Sequence, residues 1–194
     1  MGSFVTRKYI CDYGYELDGV IIMGTGHQPT PMVLAGKALA DITRFIKGDR
    51  YRSRLISKIM FGAYNKRIKN VRTSNDWLTR DETVVDEYNA GKLTTFLFTV
   101  NGYRGLMNMI LYVRKPRNIA KIPKNLPMLM VSGLDDPVGE YGKGVYRAYN
   151  TYHGHIDDID LRLFEDCRHE LCNELNKEEI YEEIYGWIVD HMNK

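Results

Sequence analysis

The sequence predicts an α/β protein with a parallel β-sheet, because short apolar runs alternate with helical segments along the chain. The runs are residues 20–23, 127–131 and, less purely apolar, 161–164. Gly24-Thr25-Gly26 closes the first run and Ser132-Gly133 closes the second. Runs that lack polar alternation and end at glycine are typical of parallel strands buried on both faces. Helical patterns at about 143–153 and 178–192 supply the alternating helices.

The first segment of the chain, residues 2–14, has helical spacing. Phe4, Val5, Tyr9 and Ile10 lie roughly on one face, and Gly14 is placed to end the helix. A turn over residues 17–19 then leads into the first strand. We therefore expect a short helix that covers part of the sheet.

Residues 27–124 do not continue the strand–helix alternation. Their pattern is helical and is broken at Gly48, at Gly62 and over residues 73–76. Thr79 and Glu82 have the spacing of a capping box, which predicts a further helix start. Loops of this length are rare in compact domains. We therefore expect residues 27–124 to form an inserted helical cap on a core made by residues 1–26 and 125–194.

Composition excludes several functional classes. The net charge of the 194 residues is only +2, which gives no general argument for nucleic-acid binding. The three cysteines are too few for a disulfide scaffold, so we expect a reducing, cytoplasmic setting. Cys167, His169 and Cys172 lack the fourth ligand of a usual zinc site, and no metal is expected. No signal-peptide pattern occurs, and no apolar run reaches the ~18 residues of a membrane span.

Polar side chains follow the second and third predicted strands. Asp135 and Asp136 come just after the second strand, and His169 comes a few residues after the third. The carboxyl ends of parallel strands share one edge of the sheet, so a carboxylate there can orient the imidazole as a general base. The alternative from spacing alone is an Asp-Pro turn and a solvated histidine.

Four blocks carry a resemblance to bacterial lysophospholipase-like and monoacylglycerol-lipase-like α/β-hydrolases of the serine aminopeptidase clan. They are Asp136-Pro137-Val138-Gly139, Arg168-His169-Glu170 with Asn173-Glu174, Ser74-Asn75-Asp76-Trp77-Leu78, and residues 122–127. The resemblance implies Asp136 as the catalytic acid, with Asp135 as its rival, and His169 as the base. It further implies a lipid or small carboxylic ester as the substrate, and no cofactor.

The nucleophile of that family lies in a Gly-x-Ser-x-Gly turn, and residues 1–194 contain no such motif. Met1-Gly2-Ser3 resembles the residues that directly follow the family's serine, which would put the nucleophile just before Met1 and Met1 at the oxyanion-hole position. The chain as given is then expected to be inactive. We expect the first strand to have an exposed edge that favours self-association or needs a missing N-terminal half. Ser3 and Ser132 lack the surrounding turn motif and are not expected to replace the nucleophile.

Other functional classes stay open at this point. A non-catalytic remnant or binding module would fit the missing serine, and the triad alone does not separate an esterase from a peptidase or thioesterase.

Positive charge is concentrated in the predicted cap. The basic residues there are Arg44, Lys47, Arg50, Arg52, Arg54, Lys58, Lys66, Arg67, Lys69 and Arg72. Asp49 is the one acid among them. The segment is interpreted as a solvated basic face of cap helices, and the alternative is peripheral contact with an anionic membrane surface.

Overall fold

A computed structural model describes residues 1–192 and confirms the predicted α/β class with a parallel sheet. The elements in chain order are α1 (Gly2–Tyr13), β1 (Val20–Met23), α2 (Thr30–Lys47), α3 (Arg54–Phe61), α4 (Glu82–Ala90), α5 (Val100–Tyr112), α6 (Pro116–Ile119), β2 (Met128–Gly133), α7 (Lys143–His153), β3 (Ile159–Phe164) and α8 (Lys177–Met192). No helix in this described part is both long and apolar enough to cross a bilayer.

The sheet has the order β1-β2-β3, with both pairings parallel. Ile22 pairs with Met130, and Met130 pairs with Leu161. Every residue of β2 is buried, as expected for a central strand covered on both faces. The carboxyl ends of all three strands consequently point to the same edge of the sheet.

Helices cover the two faces of this sheet. Successive strand residues point to opposite faces, so Met130 of β2 packs with Ile10 of α1 and Tyr152 of α7. Val131, its neighbour, packs on the other side with Ile180 of α8. The hydrophobic core is thereby divided into two layers, one on each face of β2.

The predicted apolar face of α1 is only partly right. Phe4 and Ile10 are buried, but Val5 and Tyr9 are exposed, and the buried stripe also passes through Arg7. The Arg7 guanidinium donates to the Tyr152 hydroxyl, the Thr25 hydroxyl and the Gly26 carbonyl oxygen. These acceptors offset the free-energy cost of burying the charge. The local sequence does not predict them.

The helices between β1 and β2 pack mainly on one another. Val33 of α2 packs with Met107 and Ile110 of α5, and the predicted breaks appear where α2 ends at Gly48 and α3 ends at Gly62. The Gly48 backbone has a φ of 85°, which favours glycine.

The predicted capping box at Thr79 is wrong. Asp81 caps α4 by accepting from the backbone N–H groups of Thr83 and Val84, so this helix begins two residues later than the capping box predicts. Thr79 instead donates its hydroxyl to the Asn173 carbonyl oxygen, at 2.7 Å. A tertiary contact has taken the side chain that the local pattern assigned to a helix cap.

Candidate active site

The loops after β2 and β3 meet at the carboxyl edge of the sheet. Gly133 ends β2, and a Cβ there would lie only 1.9 Å from the Cys167 carbonyl oxygen, so only glycine permits this approach. The Asp135 N–H donates to the same carbonyl oxygen at 2.9 Å. The close contact brings Asp136 and His169 together, with Nδ1 of the imidazole 2.9 Å from Oδ2 of the carboxylate.

The Asp136 carboxylate is fully buried and held from several sides. Its Oδ1 accepts the Val138 N–H at 2.8 Å, and its Oδ2 is 3.4 Å from the Ser132 hydroxyl as well as bound to the imidazole. Asp135, by contrast, is exposed. Of the two sequence candidates for the acid, the structure brings only Asp136 to His169.

The contact between Asp136 and His169 has a defined chemical capacity. A carboxylate that accepts from Nδ1–H holds the ring in the tautomer that leaves Nε2 free to accept a proton. The His169 side chain is 17% exposed, so this nitrogen is not sealed in the core. The pair has the arrangement of the acid and base in a nucleophilic triad.

Gly24, the residue after β1, leaves the space that His169 occupies. It has a φ of 59°, and a Cβ would lie 2.9 Å from Cε1 of the imidazole. The Ser3 hydroxyl donates to its carbonyl oxygen at 3.2 Å. The sequence predicts Gly24 only as a strand end, although a glycine in or beside a strand can also mark a close contact.

Residues 76–80, which lie between β1 and β2 in sequence, bind the loop that carries His169. The Arg168 guanidinium donates Nη1 to the carbonyl oxygens of Asp76 and Thr79, at 2.6 and 2.9 Å. On the other side of the imidazole, the Glu170 N–H donates to the Leu78 carbonyl oxygen at 2.7 Å. Both sequence neighbours of His169 are therefore bound to this segment.

A buried carboxylate completes this attachment. Glu174 is 1% exposed and accepts the Arg168 N–H at 2.7 Å through Oε1. Its Oε2 accepts Nε–H of Arg80 at 2.8 Å. Charge-assisted hydrogen bonds of this kind are stronger than neutral ones, so Glu174 holds the backbone of Arg168, just before the imidazole, to Arg80.

An aromatic wall, formed by Phe61, Tyr64 and Trp77, runs up to His169. The Trp77 ring lies 5.1 Å from the imidazole, the Tyr64 ring lies 4.8 Å from Trp77, and the Phe61 ring lies 5.6 Å from Tyr64. Burial raises the pKa of Tyr64 to about 12, and the Asp136 charge adds to the shift. Tyr64 is not identifiable from sequence alone, because nothing in its local pattern distinguishes it from other tyrosines of the segment.

The remaining sequence candidates lie apart from the imidazole or have structural partners. Ser132 is buried within β2, and Ser3 lies within α1, so neither is in a strand-to-helix turn. Burial lowers the pKa of the Met1 terminal amine, and the Asp136 carboxylate opposes that shift.

The predicted absence of a metal at Cys167 and Cys172 stays a prediction. In the structure the two thiols contact different residues. The Cys167 thiol lies 3.3 Å from Asn176 Oδ1, and the Cys172 thiol lies 3.7 Å from Met23 Sδ. A separate group of potential ligands, Asp158, Asp160 and His191, has its ligand atoms within 4.8 Å of one another.

Comparisons with known proteins show the family and the fold of this chain. The family model described as serine aminopeptidase, S33, matches residues 1–176. A thermostable carboxyl esterase from Bacillus coagulans is similar in structure, with a TM-score of 0.85 and 22% identity over 98% of this chain and 61% of that chain. No curated protein matches at the sequence level.

Two monoacylglycerol lipases are also similar in fold. A soluble variant of monoglyceride lipase from Saccharomyces cerevisiae has a TM-score of 0.69 and 16% identity, over 97% of this chain and 59% of that chain. Paleococcus ferrophilus monoacylglycerol lipase has a TM-score of 0.67 and 16% identity, over 97% and 65%. The chain thus spans about three fifths of the length of these structures.

Proposed function

This chain belongs to the serine aminopeptidase S33 family of α/β-hydrolases, and on that premise we propose that it supplies the acid and base of a serine hydrolase acting on carboxylic esters of lipids. Asp136 is the acid, His169 is the base, and the helices between β1 and β2 form the cap. The observation that carries the proposal is the 2.9 Å contact between the buried carboxylate and the partly exposed imidazole.

The proposed reaction proceeds in two halves. In the first, a serine hydroxyl adds to the ester carbonyl carbon while Nε2 of His169 takes its proton, and the imidazolium that forms is stabilised by Asp136. The tetrahedral intermediate then releases the alcohol, which receives that proton. In the second half, water adds to the carbonyl carbon of the acyl-enzyme while Nε2 of His169 takes a proton from it. The imidazolium then gives that proton to the serine oxygen, so that the carboxylic acid product is released and the serine is restored.

The serine of this proposal is not among residues 1–194, since they contain no Gly-x-Ser-x-Gly motif. The Ser3 hydroxyl contacts Gly24, and Gly24 lies against the His169 imidazole, which supports a serine beside Met1 with Met1 at the oxyanion-hole position. We propose that the 194-residue chain by itself does not hydrolyse esters. Labelling with a fluorophosphonate probe tests this, because the probe needs an activated serine. Stoichiometric labelling of the 194-residue chain would contradict the proposal.

The aromatic wall supports the choice of a lipid ester. Large rings provide apolar contact area, and Trp77 lies beside the imidazole where the acyl or alcohol part of an ester would pack. A form of the protein that includes the serine motif should hydrolyse monoacylglycerol and lysophospholipid esters faster than peptide or thioester substrates. A preference for peptides would be compatible with Asp136 and His169 as acid and base, but it would contradict a lipid ester as the substrate.

A further inference from the structure

Large apolar side chains of α2 and α3 are mostly exposed to solvent. Phe45 is 92% exposed and Ile46 is 66% exposed at the end of α2, while Leu55 and Ile59 of α3 are each 61% exposed. Ile42, also exposed, lies three residues before Phe45 and therefore on the same side of α2. Contiguous exposed apolar patches on a soluble protein usually mark a binding surface.

Positive charge surrounds these apolar side chains. The exposed basic residues of α2, α3 and the connection between them are Lys47, Arg50, Arg52, Arg54 and Lys58. Within residues 1–192, none of the five forms an ion pair with a carboxylate. The two nearby acids are already used, because Asp41 pairs with Lys37 and Asp49 pairs with Arg44. The charge of this surface is thus uncompensated by the protein.

We propose that this α2–α3 surface, made of the five apolar and five basic side chains just described, docks on an anionic lipid bilayer. Amphipathic helices that combine exposed large apolar residues with Lys and Arg insert their apolar face at the headgroup–acyl boundary. The basic side chains lie where they would meet lipid phosphates or carboxylates, and each adds attraction to an anionic surface.

Two other occupants explain the surface less well. A second copy of the chain would bring the same unpaired arginines against one another, and like charges oppose such an interface. A purely solvated basic face accounts for Arg50, Arg52 and Arg54 but not for Phe45. A ring that is 92% exposed gains almost no free energy from the burial of apolar surface. Charge and apolar area together favour an anionic lipid surface.

The α2–α3 surface connects to the candidate active site. The last residue of α3 is Phe61, which begins the aromatic wall that ends beside His169. The α2–α3 surface and the aromatic wall thus share α3, with Leu55 and Ile59 on its exposed side and Phe61 on its packed side. Docking itself does not depend on the proposed function, because binding is measured without turnover.

The test is flotation of the 194-residue chain with phosphatidylcholine vesicles that contain about one fifth phosphatidylserine. We expect binding that weakens as salt rises and that is at least about tenfold weaker with pure phosphatidylcholine. Replacing Phe45 and Ile46 by serine should weaken binding about tenfold or more, because the insertable apolar area is lost. Charge reversal of Arg50, Arg52 and Arg54 to glutamate should weaken it roughly 100-fold.

The matched control is Tyr185→Ser, which removes an exposed ring, 69% accessible, from the acidic helix α8 and should leave vesicle binding unchanged. Circular dichroism melts verify that each variant is folded, which we expect because all the replaced side chains are exposed. The proposal is overturned if the chain does not float with anionic vesicles, or if Tyr185→Ser weakens binding as much as the α2–α3 changes. A dimer that dissociates on Phe45→Ser without any vesicle binding would assign the surface to a second copy.

Discussion

The Arg168 guanidinium donates to the carbonyl oxygen of Asp76, 92 residues earlier in the chain, and so the residue before His169 is attached to the segment between β1 and β2. Glu170, the residue after His169, is bound to the same segment through the Leu78 carbonyl oxygen. The position of the imidazole is therefore set by residues 76–80 as well as by the sheet. Movement of that segment would move the base.

Replacing Arg168 by alanine should loosen the His169 loop, because two hydrogen bonds from a charged donor are lost. We expect a local destabilisation of about 2 kcal/mol and, for the Glu170 amide, hydrogen exchange that is about tenfold faster or more. Hydrogen exchange of the 194-residue chain measures this without catalysis. Arg162→Ala is the control, since its ion pairs are long, at 3.6 and 3.8 Å, and solvent-exposed. Unchanged exchange at Glu170 in Arg168→Ala would show that the guanidinium does not hold the loop.

Asp136→Asn should reduce the kcat of a form that includes the serine motif by about 10⁴-fold, because an amide no longer fixes the imidazole tautomer or stabilises the imidazolium. His169→Ala should abolish turnover. Asp135→Asn is the matched control and should change kcat little, because that side chain is exposed and has no contact with the imidazole. A larger loss with Asp135→Asn than with Asp136→Asn would refute the assignment of the acid.

Trp77→Ala should lower kcat/KM for long-chain esters by about tenfold, since it removes a ring contact with the imidazole and the contact that we propose with the substrate. Trp77→Phe should recover most of the loss. The ratio of kcat/KM values for long-chain and short-chain esters separates a substrate contact from a general effect on the base. Phe96→Ala replaces a half-exposed ring elsewhere between β1 and β2 and should leave the ratio unchanged. An unaltered ratio in Trp77→Ala would show that the tryptophan does not contact the substrate.

His27 makes stability depend on pH. Burial lowers the pKa of this imidazole from 6.5 to about 4, and the charges of Arg114, Arg7 and Arg147 add to the shift. The unfolded chain binds a proton below pH 6.5 that the folded chain binds only near pH 4, so stability falls as the pH is lowered across this window. We expect about 1–2 kcal/mol to be lost between about pH 7 and pH 5.

Urea unfolding at the two pH values measures this loss. His27→Gln should remove it, because the amide oxygen can still accept from Arg114 but does not titrate. His153→Gln, at an exposed position on α7, is the control and should retain the loss. The same pH dependence in wild type and His27→Gln would show that another group is responsible.

Much of the fold was determined by local sequence. An unbroken apolar run ended by glycine predicts a strand at Val20–Met23, and the structure has the same bounds. The expected burial on both faces is only partly right, because Ile21 and Met23, on one face of this edge strand, are half-buried. Gly48 and Gly62 end helices where the pattern predicts, because glycine disfavours helix continuation. The juxtaposition of Asp136 and His169 was foreseeable too, since parallel strands bring their carboxyl ends to one edge.

Only the tertiary structure shows that Asp136 contacts His169 and that Asp135 is exposed, because adjacent residues of one loop differ in burial only once the next strand has packed beside them. It also placed the charge of Arg7 inside the core, through three acceptors on two distant segments, the loop after β1 and α7. Thr79 bonds to Asn173 and not to a helix end for the same reason. Local sequence determines which conformations a segment favours, whereas these contacts depend on partners that folding brings from elsewhere in the chain.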